Sequence, residues 1–407
     1  MTRAYGFPAE RPLSKEQRKG IALCLSGGGY RAALFHLGAL RRLDELGVLS
    51  QIDTITSVSG GSIMNAQIAG HVAKNPDAWG NPRGPVKGFE EGIVEPMRRL
   101  STRDIRTKAV LSKLKPWNWR NQNAQIDVLA ETLSDGTPGT RIAVLPDRPR
   151  FVFCATDVCF RGQWTADSGT KKVGHGLCGY APVGDWTIAR AAAASSCLPG
   201  AFEPMRIDDP LADGTYAEAD RDTLLKRIDL TDGGVYDNLG LEPVWRDHAA
   251  VLVSDAAPAF KPEPGIGGFW KELRYAVTLL EQATDVRKRW LIEGFRQEQL
   301  AGTFWGIASH PDDYDFDQRP KTYSDALIRD FISQVRIDLD VFSEGERGVL
   351  ENHGYLMADI AVRKHLAGLV VDGPPPSPPY SDWLDEARAR DALKESHLTK
   401  AFARGWR

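Results

Sequence analysis

The sequence lacks the features of several large protein classes. Its 407 residues include only five cysteines, scattered and without a C-x-x-C pair, so we expect neither a disulfide framework nor a zinc site. No uninterrupted apolar run approaches the roughly 18–20 residues of a spanning helix, and residues 1–19 contain no apolar core of a signal peptide. The formal net charge of −3 argues against nucleic acid as a partner. These absences predict a cytoplasmic globular protein with reduced thiols.

A glycine-rich loop follows the first predicted strand. A short apolar run predicts a buried strand, and Gly27, Gly28 and Gly29 come directly after it. Apolar residues at helical spacing then predict a helix over residues 32–46. Glycines at a strand end let backbone N–H groups turn towards a ligand oxygen, and Arg31 beside them is suited to contact an anion. A phosphate-binding loop is an open alternative here, although the Lys-Ser/Thr of a P-loop is absent.

A serine stands in a tight turn between the second strand and its helix. Residues 52–58 predict the strand, and residues 62–73 predict the helix. Ser57 and Gly61 lie two positions either side of Ser59, and both are small enough for strand and helix to approach closely, as in a nucleophile elbow. Ser59 is therefore a candidate nucleophile at a helix N-terminus, where developing negative charge is favoured. For this stretch alone, simple helix capping by Ser59 is the alternative.

A carboxylate follows a later strand. Residues 227–231 predict a strand, and Asp232, Gly233 and Gly234 come directly after it. Open α/β folds place their sites at the carboxyl ends of strands, and the two glycines allow close approach to a neighbouring loop. Asp232 is therefore a candidate general base for a serine nucleophile.

In chain order, these three motifs resemble those of the patatin-like phospholipase family. The resemblance implies a three-layer α/β/α fold with a mostly parallel central sheet and additional C-terminal helices. It also implies a lipid acyl hydrolase, of phospholipase A or lysophospholipase type, with a Ser59–Asp232 dyad, no catalytic histidine and no cofactor or metal. The N–H groups of the glycine loop can serve as the oxyanion hole. Ser57 departs from the family pattern by replacing the first glycine of the elbow, and Ala32 replaces a glycine that often follows the arginine.

The resemblance and the composition also predict a domain organisation. We expect a catalytic α/β domain over residues 18–256, with a basic insertion around residues 78–148. Residues 257–370 are expected to form a C-terminal helical layer packed on the same domain. A proline-rich spacer over residues 373–380 and a helical tail over residues 381–407 complete the chain. Because every candidate catalytic residue precedes it, we expect the tail to be dispensable for activity.

Part of the insertion is strongly basic. Residues 81–120 contain ten Lys/Arg residues against four acids, a net charge of +6, and they include Trp117 and Trp119. Basic residues with tryptophans can hold a protein on an anionic membrane surface. We therefore expect peripheral membrane contact through this segment, with a solvated face and half-buried aromatics as the alternative.

Two other functions stay open from the sequence. An α/β-hydrolase with a Ser-His-Asp triad could use one of the late histidines, His353, His365 or His397, although no local motif marks any of them. A non-catalytic lipid-binding or scaffolding protein could use the same cleft. In each case the expected ligand is a phospholipid or another acyl-ester lipid.

Overall fold

The computed structural model describes residues 13–134, 139–216, 220–259 and 271–398. The strands are β1 (Ile21–Leu25), β2 (Thr54–Val58), β3 (Arg150–Asp157), β4 (Gly162–Asp167), β5 (Lys172–His175), β6 (Gly179–Pro182), β7 (Met205–Ile207), β8 (Ile228–Asp232), β9 (Ala250–Asp255) and β10 (Ala301–Gly306). The α-helices are α1 (Gly29–Glu45), α2 (Gly60–Lys74), α3 (Glu95–Leu100), α4 (Ile105–Ser112), α5 (Ala124–Leu133), α6 (Ile188–Ser195), α7 (Arg221–Leu225), α8 (Gly234–Asp237), α9 (Lys271–Arg296), α10 (Asp325–Leu327), α11 (Glu344–His365) and α12 (Glu386–Leu398). Within these ranges, none of the helices combines the length and the apolar character needed to cross a bilayer.

One sheet of ten strands organises the molecule. Five strands, in the order β10-β9-β1-β2-β3, are all parallel to their neighbours. Beyond β3 the sheet continues with β4, β5 and β6, each antiparallel to the one before. The parallel half matches the β-α-β connections predicted for residues 20–73.

Helices cover both faces of the parallel strands. Leu23 and Leu25 of β1 point into the main core with α1, α2 and α11, whereas Ala22 and Cys24 point to the opposite face. That face is covered by the segment after α8 and by Leu291 of α9. Alternate residues of a strand face opposite sides, so β1 is buried on both. This arrangement confirms the expected α/β fold with a central sheet between helices.

Helices α1 and α11 form the closest contact of the outer layer. A Cβ added to Gly38 of α1 would lie 1.9 Å from the Glu351 carbonyl oxygen, and one added to Gly354 of α11 would lie 1.9 Å from the Phe35 carbonyl oxygen. Reciprocal glycines therefore allow the two helix backbones to touch. Within the helical layer expected over residues 257–370, the segment directly before α11, residues 324–337, contains only the short α10 followed by a π-helical turn, Ile328–Ile332.

The proline-rich stretch is attached to the outer layer. Arg42 Nη2 donates to the Pro374 carbonyl oxygen at 2.6 Å, and the Ser377 N–H donates to the Tyr355 hydroxyl at 3.0 Å. Ala389 and Leu393 of α12 are fully buried. The domain division stays a prediction, but these contacts change the expected effect of removing the tail.

Candidate active site

The turn between β2 and α2 has the geometry of a nucleophile elbow. Ser59 adopts φ 49° and ψ −119°, a region that non-glycine residues rarely occupy, and α2 begins directly after it. Added Cβ atoms would lie 2.1 Å from the Gly29 carbonyl oxygen at Gly60 and 2.2 Å from the Leu25 carbonyl oxygen at Gly61. Only glycine fits at these two positions, so the turn is held tightly against the glycine loop.

Ser57, the departure from the family pattern, belongs to a hydrogen-bond network beneath the elbow. Its hydroxyl accepts from Asn65 Nδ2 at 2.9 Å and from Ser62 Oγ at 2.9 Å. All three side chains are buried. The substitution of serine for glycine therefore adds polar contacts and keeps the elbow.

The β3 strand brings Asp232 to the elbow. Val58 at the end of β2 lies opposite Cys154 of β3, and Asp232 at the end of β8 lies opposite Ala155, the next residue of β3. Because β4 occupies the other edge of β3, the β2 and β8 strands share one edge and meet end to end. The prediction that the aspartate follows a strand of the parallel sheet is wrong in one respect, since β8 is antiparallel to β3.

The environment of Asp232 suits a proton acceptor. Its Oδ1 accepts the Gly234 N–H at 2.8 Å, whereas Oδ2 is buried without a hydrogen-bond partner in the described part of the chain. Burial raises the pKa of Asp232 to about 6, and the nearby Ser59 side chain and the Gly234 N–H offset part of this shift. The Asp232 carboxylate is thus a stronger base than that of an exposed aspartate, and its Oδ2 is available to accept a proton.

The glycine loop lies against Ser59 and Asn238. A Cβ added to Gly27 would lie 3.1 Å from the Ser59 Cβ and 2.3 Å from Asn238 Oδ1. Its N–H already donates to the Asn238 carbonyl oxygen at 3.2 Å. No hydrogen bond within the described ranges uses the N–H of Gly28 or Gly29, whose φ values are 141° and 60°. In this loop, the N–H groups of Gly28 and Gly29 therefore remain as candidate oxyanion donors.

Sequence reasoning missed one residue that lines the site and one candidate donor. The candidate donor is the N–H of Gly60, the first residue of α2, because an elbow can supply the N–H of the residue after the nucleophile; the elbow pattern itself was the available signal. Asn238 closes the wall beside the loop: a Cβ at Gly234 would lie 2.7 Å from its Oδ1. At Gly233, an added Cβ would lie 2.2 Å from the Cys154 carbonyl oxygen, which explains the first glycine of the Asp-Gly-Gly motif.

Arg31 lines the cavity but is bonded to backbone. Its Nη1 donates to the Val335 carbonyl oxygen at 2.8 Å and its Nη2 to the Ala256 carbonyl oxygen at 2.7 Å. Burial lowers the pKa of the guanidinium to about 10. These bonds tie α1 to two neighbouring segments of the site. Anion contact by Arg31 stays a prediction; its Nε has no hydrogen-bond partner among the described residues.

Ser59 and Asp232 open into one cavity of about 160 Å³. The glycine loop and Asn238 form its polar end, and Arg106, Asp338 and Glu281 also line it. The remaining wall is largely apolar. Its larger apolar side chains are Ile63, Leu198, Phe202, Ile337 and Leu339. An apolar pocket with a few convergent polar groups suits an acyl chain whose ester carbonyl reaches the polar end.

None of the histidines in the described ranges lines this cavity. His353 is buried with its Nε2 2.9 Å from the Ile307 carbonyl oxygen, and burial lowers its pKa to about 4. The Nδ1 of His365 lies 2.8 Å from Thr303 Oγ1. The side chain of His397 lies outside the described residues. The geometry therefore offers no support for a Ser-His-Asp triad at Ser59.

One buried group elsewhere has metal-ligand chemistry. The ligand atoms of Asp157, His175 and Cys178 lie within 4.8 Å of one another. They are satisfied by protein contacts, since Asp157 Oδ2 and His175 Nε2 are 2.9 Å apart and Cys178 Sγ donates to the Gly179 carbonyl oxygen at 3.4 Å. Burial raises the pKa of the Cys178 thiol to about 12, which disfavours the thiolate that a metal needs. We therefore interpret the cluster as a structural hydrogen-bond network.

A serine elbow facing a buried carboxylate on an α/β sheet defines the class of protein. The family model of patatin-like phospholipases matches residues 23–245, more than half of the sequence, and the chain belongs to this family. This confirms the resemblance and supports lipid acyl hydrolase activity.

Solved structures with a similar chain path have low sequence identity to this protein. Human GIVD cytosolic phospholipase A2 has 12% identity and a TM-score of 0.45, covering 94% of this chain and 61% of that one. VipD from Legionella pneumophila has 13% identity and a TM-score of 0.38, covering 86% and 67%. The chain thus spans about three fifths of the human protein's length. No curated protein matches the sequence.

Proposed function

We propose that this protein is a serine lipid acyl hydrolase of phospholipase A or lysophospholipase type, with Ser59 as nucleophile and Asp232 as general base. One observation carries the proposal: Ser59 and the unpartnered Oδ2 of Asp232 open into the same largely apolar cavity. A buried carboxylate oxygen without a partner is costly to keep, and proton acceptance gives it a role.

The reaction proceeds in two steps. Asp232 takes the Ser59 hydroxyl proton as Ser59 Oγ attacks the ester carbonyl, and collapse of the tetrahedral intermediate leaves an acyl-enzyme on Ser59. The proton passes to the departing alkoxide, which leaves as the alcohol. Water then gives a proton to Asp232 as its oxygen attacks the acyl-enzyme, and Asp232 returns that proton to Ser59 Oγ as the acyl C–O bond breaks and the fatty acid leaves. Because Asp232 alternates between base and acid, a pKa of about 6 places it near the working pH.

Backbone donors stabilise the charge that develops on the carbonyl oxygen. The N–H groups of Gly28, Gly29 and Gly60 are proposed for this role, because the glycine loop and the first residue of α2 approach each other beside Ser59. In other hydrolases, loss of one such donor costs about 3–4 kcal/mol.

Covalent labelling and lipid turnover test the proposal together. We expect a fluorophosphonate probe to label the wild-type protein, and a mixed lipid extract to yield free fatty acids, read by mass spectrometry. Ser59→Ala should abolish both the labelling and the release of fatty acids. Ser168→Ala should keep both, because the buried Ser168 hydroxyl accepts the Phe151 N–H near the N-terminal end of β3. An unlabelled wild-type protein that binds lipid would instead establish the non-catalytic alternative.

We also propose that residues 81–120 dock the enzyme on anionic bilayers. Leu111, Leu114, Trp117 and Trp119 expose 50%, 71%, 75% and 68% of their surface, and we call these four the docking surface. Lys113 Nζ contacts Glu203 Oε2 at 2.7 Å, directly beside cavity residue Phe202. The docking surface therefore adjoins the wall of the cavity.

The basic residues contribute unequally to this surface. Arg98 is paired with the buried Glu351, and Arg106 is paired with Asp338, so their charge is directed inwards. Lys115 Nζ instead lies 6.0 Å from the centroid of the Trp117 ring, within the docking surface. Attraction to an anionic bilayer is about 1 kcal/mol per basic residue near the surface and is screened by salt.

Vesicle co-sedimentation tests the docking. We expect Trp117→Ala combined with Trp119→Ala to weaken binding to anionic vesicles by about tenfold or more, with hydrolysis of a monodisperse ester unchanged. Trp290→Ala is the control, because Trp290 is 73% exposed but lies on α9. Equal binding to anionic and neutral vesicles, indifferent to salt, would refute the proposal.

The cellular location stays a proposal as well. All five cysteines are unpaired, and four of them are buried, which supports a reducing, cytoplasmic compartment. The exclusion of a nucleic-acid partner stays a prediction from the charge.

A further inference from the structure

Ser195, the last residue of α6, contacts the nucleophile directly. Its buried Oγ accepts the Ser59 backbone N–H at 2.9 Å and donates to the Cys154 carbonyl oxygen at 2.6 Å. Its Oγ also lies 2.8 Å from Ser62 Oγ, the first-turn hydroxyl of α2. The Ser195 hydroxyl of α6 thus contacts β3 and two residues of the elbow, Ser59 and Ser62.

The same residue contacts the strand that carries the base. The Ser195 carbonyl oxygen accepts the Gly233 N–H at 3.2 Å, one residue after Asp232. Cys197, two residues further on, accepts the Asp232 N–H at 2.9 Å through its own carbonyl oxygen. Strand β8 pairs with β3 and β7 but not with β2 within the described sheet. The C-terminal end of α6 therefore connects two strand ends that no ladder joins to each other.

From these contacts we propose that Ser195 is a positioning residue, which fixes the nucleophile relative to its base. This inference rests on the proposed function of Ser59 and Asp232. Its side chain holds Ser59 and its main chain holds Gly233, so replacement of the side chain removes only the first of the two contacts. The adjacent Ser196 makes a useful contrast, because its hydroxyl has no hydrogen-bond partner in the described part of the chain.

The backbone of Ser59 explains why such an anchor is needed. Its φ of 49° is held only where the surroundings over-determine it. Without the Ser195 hydroxyl, the part-buried Ser59 N–H would lose its acceptor, and relaxation of the turn would move Ser59 Oγ away from Asp232. Displacement of reacting groups by about 1 Å can cost two orders of magnitude in rate.

Ser195→Ala tests the inference in the full-length protein. We expect kcat to fall about 10- to 100-fold with KM unchanged, and the rate of fluorophosphonate labelling to fall by the same factor. Ser168→Ala is the matched control, since it removes a buried hydroxyl that accepts a backbone N–H at 2.8 Å. It should lower the melting temperature comparably and leave kcat intact.

The outcomes separate the inference from the proposed function. A wild-type protein inert to both probe and ester would overturn the assignment of Ser59 itself. A reactive wild type whose Ser195→Ala variant keeps its kcat, or loses it only in proportion to thermal stability as Ser168→Ala does, would overturn the role of Ser195. Should Ser195→Ala not fold, Ser195→Cys keeps a weak acceptor of similar size, and its kcat should fall several-fold below that of the wild type; a wild-type kcat would count against the inference.

Discussion

Protonation of Asp232 should control the pH dependence of the enzyme. The proposed base must be ionised, so kcat/KM should be full above its pKa and fall about tenfold per pH unit below it. With a pKa of about 6, roughly a tenth of the enzyme would be active at pH 5. An aspartate at its ordinary pKa of 3.8 would remain mostly ionised there. The rate of fluorophosphonate labelling between pH 4.5 and 8 measures this without assuming a substrate. A rate that is flat down to pH 4.5 would refute the reasoning.

The same pKa shift predicts an effect on stability. A carboxyl whose pKa is raised from 3.8 to about 6 on folding binds its proton more tightly in the native state, so stability falls as pH rises through this interval. Above pH 6 the ionised Asp232 lowers the free energy of unfolding by on the order of 3 kcal/mol. Asp232→Asn should therefore nearly abolish activity and raise the melting temperature at pH 8 by about 3–6 °C. An unchanged or lower melting temperature would show that the carboxylate is not desolvated.

Three further predictions concern the dyad, the tail and the helix contact. Combining Ser59→Ala with Asp232→Asn should cost little more activity than either change alone, because the two residues act as one unit; additive losses in ester turnover would contradict the dyad. Truncation after Asp372 should yield insoluble or strongly destabilised protein, contrary to the expectation from sequence, since it removes buried side chains of α12; a soluble, active product on size exclusion would show the tail to be dispensable. Gly38→Ala should lower stability by about 2–3 kcal/mol by forcing α1 from α11, whereas Gly294→Ala, with no atom within 4 Å of its added Cβ, should not; equal denaturation midpoints would contradict this.

Local pattern was sufficient to predict the parts of the site that lie within single β-α junctions. The strand before Gly27 and the elbow at Ser59 each combine a short apolar run, a small-residue turn and a helix, so neighbouring residues determine them. The start of α1 was placed three residues late, because Gly29 already belongs to the helix. Glycine is a poor helix former, but Gly29 has a φ of 60°, and a Cβ added there would lie 2.6 Å from the Asp338 carbonyl oxygen, which explains its presence.

The missed features depend on contacts between distant segments. The antiparallel direction of β8 depends on its pairing with β3, in which Asp232 lies opposite Ala155, about 75 residues earlier in the chain. Ser195 lies in an alanine-rich stretch that predicts a helix and in a segment, residues 194–202, that resembles the family, but neither pattern indicates its hydrogen bond to Ser59 across 136 residues. Periodicity and turn chemistry contain no information on such pairings, so the sequence predicts the candidate catalytic residues but not the contacts that hold them together.

Strands β2 and β8 meet end to end along β3. Because of this arrangement, activity is also sensitive to partial opening of the native state. The amides of Ser59 and Gly233 are both held by Ser195, so detachment of α6 would expose both amides at once while the parallel strands stay paired. Proteins open in such local units at free energies below that of global unfolding. The temperature at which turnover fails should then lie below the melting temperature of the sheet, with these two amides exchanging hydrogen at a common rate.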